Sequence, residues 1–278
     1  MFGSISAELM ILRKRTATWV LLGLWATMAG FFAYVLPYAD YRSATGAERQ
    51  ELLSELLPEQ LVGSVLGGYP FFGGVLILIL GVLTLGSDYG WGTLKTLFTQ
   101  RPGRLQVFGA KLIALGIAIV GFVVSTFIVA AAASAFIASR EDAPVNWPDA
   151  SLLLRGMAAA WLIMAVWATF GVLLAVLSKG TALAIGIGIL YGLVIEGLIS
   201  ALLDTVDLLK SVIEVLLRAN GYSLITAVGS SAADARENGP GSFSGPYVSG
   251  TQAALVLGLQ LAFFVAVAAT LLRRRDVT

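Results

Sequence analysis

Six stretches of the chain are almost wholly apolar: 17–37, 69–86, 112–138, 153–177, 181–203 and 253–272. Each is 18 to 27 residues long, and together they hold two charged side chains, Arg155 and Glu196. A helix rising 1.5 Å per residue needs about 20 such residues to cross a bilayer's hydrocarbon core. The pattern predicts an all-α integral membrane protein, a single domain over 1–278 with six transmembrane helices. It excludes a water-soluble globule. The first stretch follows Arg13, Lys14 and Arg15 but is longer than a signal-peptide core, and it lacks a small-residue cleavage site after it. It reads as a retained anchor.

Charges between the stretches set the expected orientation. With the amino terminus in the cytoplasm, the inner segments carry eleven basic residues against three acids (Glu8, Asp88, Asp276). The outer segments 38–68, 139–152 and 204–252, counted with Arg155 at a membrane edge, then carry seven basic residues against thirteen acids. The positive-inside rule selects this orientation, with both termini cytoplasmic. Trp19 and Trp91 then fall near the inner surface, and Tyr38, Tyr41, Tyr69 and Trp147 near the outer one.

The polar intervals carry their own local signals. Residues 4–16 place Ile5, Leu9 and Leu12 at helical spacing ahead of the basic triplet, which predicts an amphipathic interfacial helix on the membrane lipids. Thr45 to Glu48 forms a capping box for an acidic helix through Leu53, Leu56 and Leu57, ended by Pro58. Asn146 is the expected cap of the fourth span, with Asp149 in its first turn. Leu208 to Leu217 is too short to cross and suits a re-entrant or interfacial helix, followed by a Gly/Ser/Pro-rich surface tract at 239–250. The inner loop 87–111 carries Lys95, Arg101, Arg104 and Lys111 with one acid, Asp88. Within it Leu94, Leu97 and Phe98 make an apolar ridge that Arg101-Pro102 ends. Such a helix suits either docking on a soluble partner or lying on the inner leaflet.

Composition removes whole classes of chemistry. The chain has no Cys and no His, so it cannot build a disulfide framework, a thiolate or histidine metal site, a catalytic thiol or a Ser-His-Asp triad. None of its lysines sits in a phosphate loop. No catalytic, cofactor-binding or metal site is expected. The net charge of +1 gives no reason to expect a nucleic-acid partner.

The loop 87–111 resembles the cytoplasmic signature of permease subunits of the ABC type-2 exporter family. Asp88 precedes Gly92-Thr93-Leu94 by four residues, and Thr99, Pro102, Arg104 and Lys111 follow in family order. Two further patches are similar: Glu8 to Leu24, and the terminal Leu-Arg-Arg-Arg-Asp276-Val. The resemblance implies a multi-pass permease in a bacterial inner membrane, acting in efflux. It implies a second permease chain, identical or related, and two copies of a cytosolic ABC ATPase that bind ATP and Mg in this chain's stead. It implies ATPase coupling through Asp88, Trp91, Gly92, Thr93, Leu94, Leu97, Phe98, Arg101 and Arg104. A re-entrant segment before the last span, at 208–222, is also implied.

Inside the membrane, Ala184, Gly188, Gly192, Glu196 and Ser200 recur every four residues. They form a small-residue ridge on which another helix can pack, with Ala184, Gly188 and Gly192 as its packing core. A mid-membrane carboxylate costs about 2.5–3.5 kcal/mol, so Glu196 must face protein. Two readings stand. Glu196, Ser200 and Gln260 contact a translocation path, or Glu196 is paired with a Ser, a Thr or Arg155 or reaches to the surface, and Gln260 joins helices. Ser125 and Thr126 read as interhelical hydrogen-bonding groups. If Glu196 binds ions, the chain is an ion-coupled secondary transporter or channel; a non-transporting membrane anchor or sensor is the third class.

Overall fold

The computed structural model describes residues 2–90, 103–202, 211–229 and 247–274. Every regular element among them is helical. Six helices are long and apolar enough to cross a membrane: Thr16–Ser43, Tyr69–Gly90, Arg104–Arg140, Ala150–Ser178, Ala182–Ala201 and Gly250–Arg274. All six expected spans are present, and the third is much longer than its apolar stretch. At 37 residues it reaches ~55 Å, so its first turns, from Arg104 to Lys111, project beyond a ~30 Å core. Apolar content marks only what lies in hydrocarbon, and a helix continues past that limit where protein contacts hold it.

The second and fourth spans form the centre of the bundle. Of their most apolar windows, 67% and 78% of residues are buried, against 17% for the sixth span. The two central helices meet backbone to backbone. A Cβ on Gly81 would stand 2.1 Å from the Ala168 carbonyl oxygen, and one on Gly171 2.3 Å from that of Leu78. Only glycine permits this approach, which supplies the dense packing that membrane helices rely on in place of a hydrophobic effect. The fifth span lies on this pair through one face. Ala184, Gly188, Gly192 and Glu196 are buried, with Gly188 over Leu78 and Gly192 over Trp167. Leu183, Leu190, Val194 and Leu198 on its other faces are exposed.

Three spans contain one π-helical turn each: Phe31–Val35, Tyr69–Gly73 and Leu190–Ile195. The first two touch through stacked rings of Phe32 and Phe72, 5.3 Å apart.

Some local expectations change. The helix Gly46–Leu56 starts after Thr45 and ends before Pro58, but Thr45 makes no side-chain capping bond. The fourth span is capped at Asp149, not Asn146. Pro148 drives the residue before it toward extended backbone, so the helix begins after the proline. Tyr41 and Tyr69 are 3% and 0% exposed, inside the protein instead of at the lipid headgroups. Each hydroxyl has a protein partner: Tyr41 donates to Glu141, and Tyr69 shares a hydrogen bond with Thr126. Trp167 is core, whereas Trp161 is partly exposed and donates to the Gly116 carbonyl. Thr126 joins two spans as expected of it, while Ser125 bonds within its own helix.

Candidate functional site

The residues flanking the loop 91–102 converge on a buried ionic cluster. The second span ends at Gly90 with Asp88 near its tip, and the third begins at Arg104 with Lys111 two turns in. The N-terminal helix Phe2–Lys14 lies against the third span with Glu8 and Leu12 as its buried face. Lys111 Nζ stands 2.9 Å from Glu8 Oε2 and 2.8 Å from Asp88 Oδ2. Lys111 is 4% exposed and both acids 8%. One ammonium therefore ties three segments together: the N-terminal helix and each side of the loop.

Arg15 completes the cluster from the bend between the N-terminal helix and the first span. Its guanidinium donates to the Leu83 carbonyl at 2.7 Å and to Ser87 Oγ at 2.8 Å, both on the second span. Burial pulls its pKa below the ordinary arginine value, and the charges of Asp88 and Glu8 oppose that pull. Two acids and two bases balance, so charges that would be costly to bury singly are mutually satisfied. Amphipathic spacing suggested a helix on lipid; the face carrying Glu8 and Leu12 instead meets protein. Phe2, Met10 and Ile11 remain exposed.

Trp91, Gly92, Thr93, Leu94, Leu97, Phe98 and Arg101 lie outside the described residues. Arg104 is half-buried at the first residue of the third span. Glu8, Asp88 and Lys111 all belong to the patches that carried the family resemblance. Their mutual pairing was not readable, because Glu8 and Lys111 are 103 residues apart.

A second polar assembly occupies the interior near the other end of the bundle. Glu196 is fully buried, and its carboxylate accepts hydrogen bonds from the backbone N–H groups of Leu217 (3.1 Å) and Arg218 (2.9 Å). These are the first residues of the helix Leu217–Ala227. Gln260 Nε2 donates to the Val215 carbonyl at 2.6 Å. Asn220 Nδ2 donates to the carbonyls of Glu214 and Leu216 at 2.8 Å each. Arg218, 1% exposed, donates to the Gly192 carbonyl and covers the Phe71 ring at 4.6 Å. The partners expected for Glu196 were Ser, Thr or Arg155; its acceptor oxygens go instead to backbone donors, and Arg155 is exposed. Ser200, one turn beyond, is half-buried. Arg218 and Asn220 were not singled out, although the implied re-entrant segment 208–222 contains both. The available signal was an intramembrane acid in need of donors.

Among the described residues no group of His, Cys, Asp and Glu could hold a metal ion. No individual curated protein matches the chain. The profile described as "ABC-2 family transporter protein" matches residues 4–195, from the N-terminal helix through the ionic cluster to the residue before Glu196. With most of its length so matched and six helices able to span a membrane, this chain belongs to the ABC-2 family of transporter proteins, as a multi-pass permease-type component of an ABC transporter.

Proposed function

We propose that this chain is the permease subunit of an ATP-driven exporter in a bacterial inner membrane. Two permease chains, identical or related, form the translocation path, and two copies of a separate cytosolic ATPase drive it. ATP and Mg reside on that partner, since no lysine here sits in a phosphate loop. The end carrying Arg13, Lys14, Lys111 and Arg273 faces the cytoplasm, in keeping with the positive-inside rule.

The observation that carries this reading is Lys111, which joins Asp88 and Glu8 across the base of the loop. A loop that only connected two spans would not need a buried charge cluster beneath it. A loop pulled by a partner would, because force on 91–102 then reaches the second span, the third span and the N-terminal helix as one body. Closure of the ATPase pair displaces that body and tilts the spans between inward- and outward-open arrangements. The third span, a continuous helix from Arg104 to Arg140, is the natural lever.

Affinity capture from native membranes tests the docking. Leu97→Asp alone, and with Asp88→Ala, reduces recovery of a nucleotide-hydrolysing partner relative to the unaltered chain. Unchanged recovery overturns the coupling role of the loop.

A further inference from the structure

We infer that Glu196 and Gln260 anchor a chain reversal inside the membrane and line no translocation path. This assignment does not rest on the ATPase coupling, and Glu196, Gln260 and the backbone donors of Leu217 and Arg218 lie outside the segment that carries the family match.

The depth of the reversal follows from the spans beside it. Gln260 lies ten residues inside the sixth span, ~15 Å from its start at Gly250, and reaches the Val215 carbonyl. At the other end of the helix Leu217–Ala227, a Cβ on Gly250 would stand 2.2 Å from the Ala227 Cβ. The helix is ten steps long from Leu217 to Ala227, the same as the sixth span from Gly250 to Gln260. It therefore runs antiparallel to the outer part of that span, with its amino terminus at the deep end. Glu196 meets that terminus from the fifth span, ~21 Å from that span's start at Ala182.

Non-helical backbone at such depth persists only when its polar groups find protein partners. Here five of them do. The N–H groups of Leu217 and Arg218 go to Glu196, the carbonyls of Glu214 and Leu216 to Asn220, and that of Val215 to Gln260. The helix amino terminus also attracts the carboxylate's charge. The Arg218 guanidinium and the Tyr191 hydroxyl are the other polar groups beside Glu196. Its oxygens are thus committed to donors of the protein, which is how an anchor is used and a transported cation is not.

The absence of cysteine makes the test clean. Ser223→Cys places a thiol where the side chain is 1% exposed, on the anchored helix. Labelling of the full chain in lipid nanodiscs by a water-soluble maleimide is expected to be slow. Adding Glu196→Gln puts an amide N–H against backbone donors and raises the labelling rate at least about tenfold, the equivalent of one charged hydrogen bond. Gln260→Leu gives a smaller rise. Glu196→Asp keeps an acceptor-only group and restores protection relative to Glu196→Gln. Ser134→Cys, in the third span, stays protected throughout and reports global integrity. Where Glu196→Gln opens Ser134→Cys as well, Gln260→Leu decides the matter. The inference is overturned if Ser223→Cys labels as fast as Gly229→Cys without other changes, or stays protected when the anchors are replaced. Protection that changes when Na+ replaces K+ also overturns it, since an ion ligand behaves so.

Discussion

Lys111 and Glu8 are bonded at 2.9 Å although 103 residues and two membrane crossings separate them. The N-terminal helix is held to the third span by this ion pair, with Leu12 buried alongside. Removing one member of a buried ion pair leaves the other charge uncompensated, which costs about 3–5 kcal/mol. Lys111→Met is therefore expected to lower thermal stability in detergent strongly, and Glu8→Gln less, because Asp88 still pairs with Lys111. Tryptophan fluorescence melts measure both. An unchanged midpoint in Lys111→Met would show that the cluster bears no weight.

Replacing all four members separates stability from coupling. Glu8→Leu, Asp88→Leu, Arg15→Met and Lys111→Met together leave a neutral apolar contact, which often matches a buried ionic one in stability. Such a variant should fold near the level of the unaltered chain yet lose the dependence of partner ATP hydrolysis on the permease. Retained dependence would assign the cluster to folding alone.

Close helix packing predicts a sharp contrast between glycines. Gly171→Ala would place a methyl group 2.3 Å from the Leu78 carbonyl oxygen, so the two central spans must separate. Gly186→Ala, on the exposed face of the fifth span, meets nothing within 4 Å. The first variant should lose most folded protein on size-exclusion chromatography and the second should behave as the unaltered chain. Equal yields would contradict the backbone contact.

At the other end of the bundle, Glu141 accepts from Tyr38 and Tyr41 and faces Arg49 at 3.9 Å. The tyrosine hydrogen bonds, with Arg49 contributing less, hold its carboxyl below the usual glutamate range. A depressed carboxyl pKa contributes stability that is fully present above the ordinary value of 4.5 and fades as pH falls through the lower folded value. Hydrogen exchange of the helix Gly46–Leu56, corrected for intrinsic rate, should thus accelerate only below pH 4.5. Tyr41→Phe should move that onset upward. An onset near neutrality would implicate another group.

Much of the bundle was legible without coordinates, and the reason is local. Whether a segment can enter hydrocarbon depends on its own composition, so all six crossings were found. The ridge Ala184, Gly188, Gly192 and Glu196 was equally plain, since a four-residue repeat defines one face of a helix whatever packs on it. The capping residue of the fourth span was misplaced because Asn146 and Asp149 both suit the role, and only the backbone around Pro148 chooses between them. Arg218 and Asn220 lie in the segment 208–222 expected to re-enter the membrane, but a run of apolar residues does not say which donors meet Glu196.

The sequence by itself determined that this protein crosses a membrane six times, that its charge is divided unequally between the two ends, and that Glu196 must face protein. Those are properties of single segments: transfer free energy, charge count and helical period. Only the tertiary structure decided what meets Glu196, and that Glu8, Asp88 and Lys111 form one cluster. Such pairings depend on the relative depth and rotation of helices far apart in the chain, which packing of the whole bundle sets and no one segment encodes.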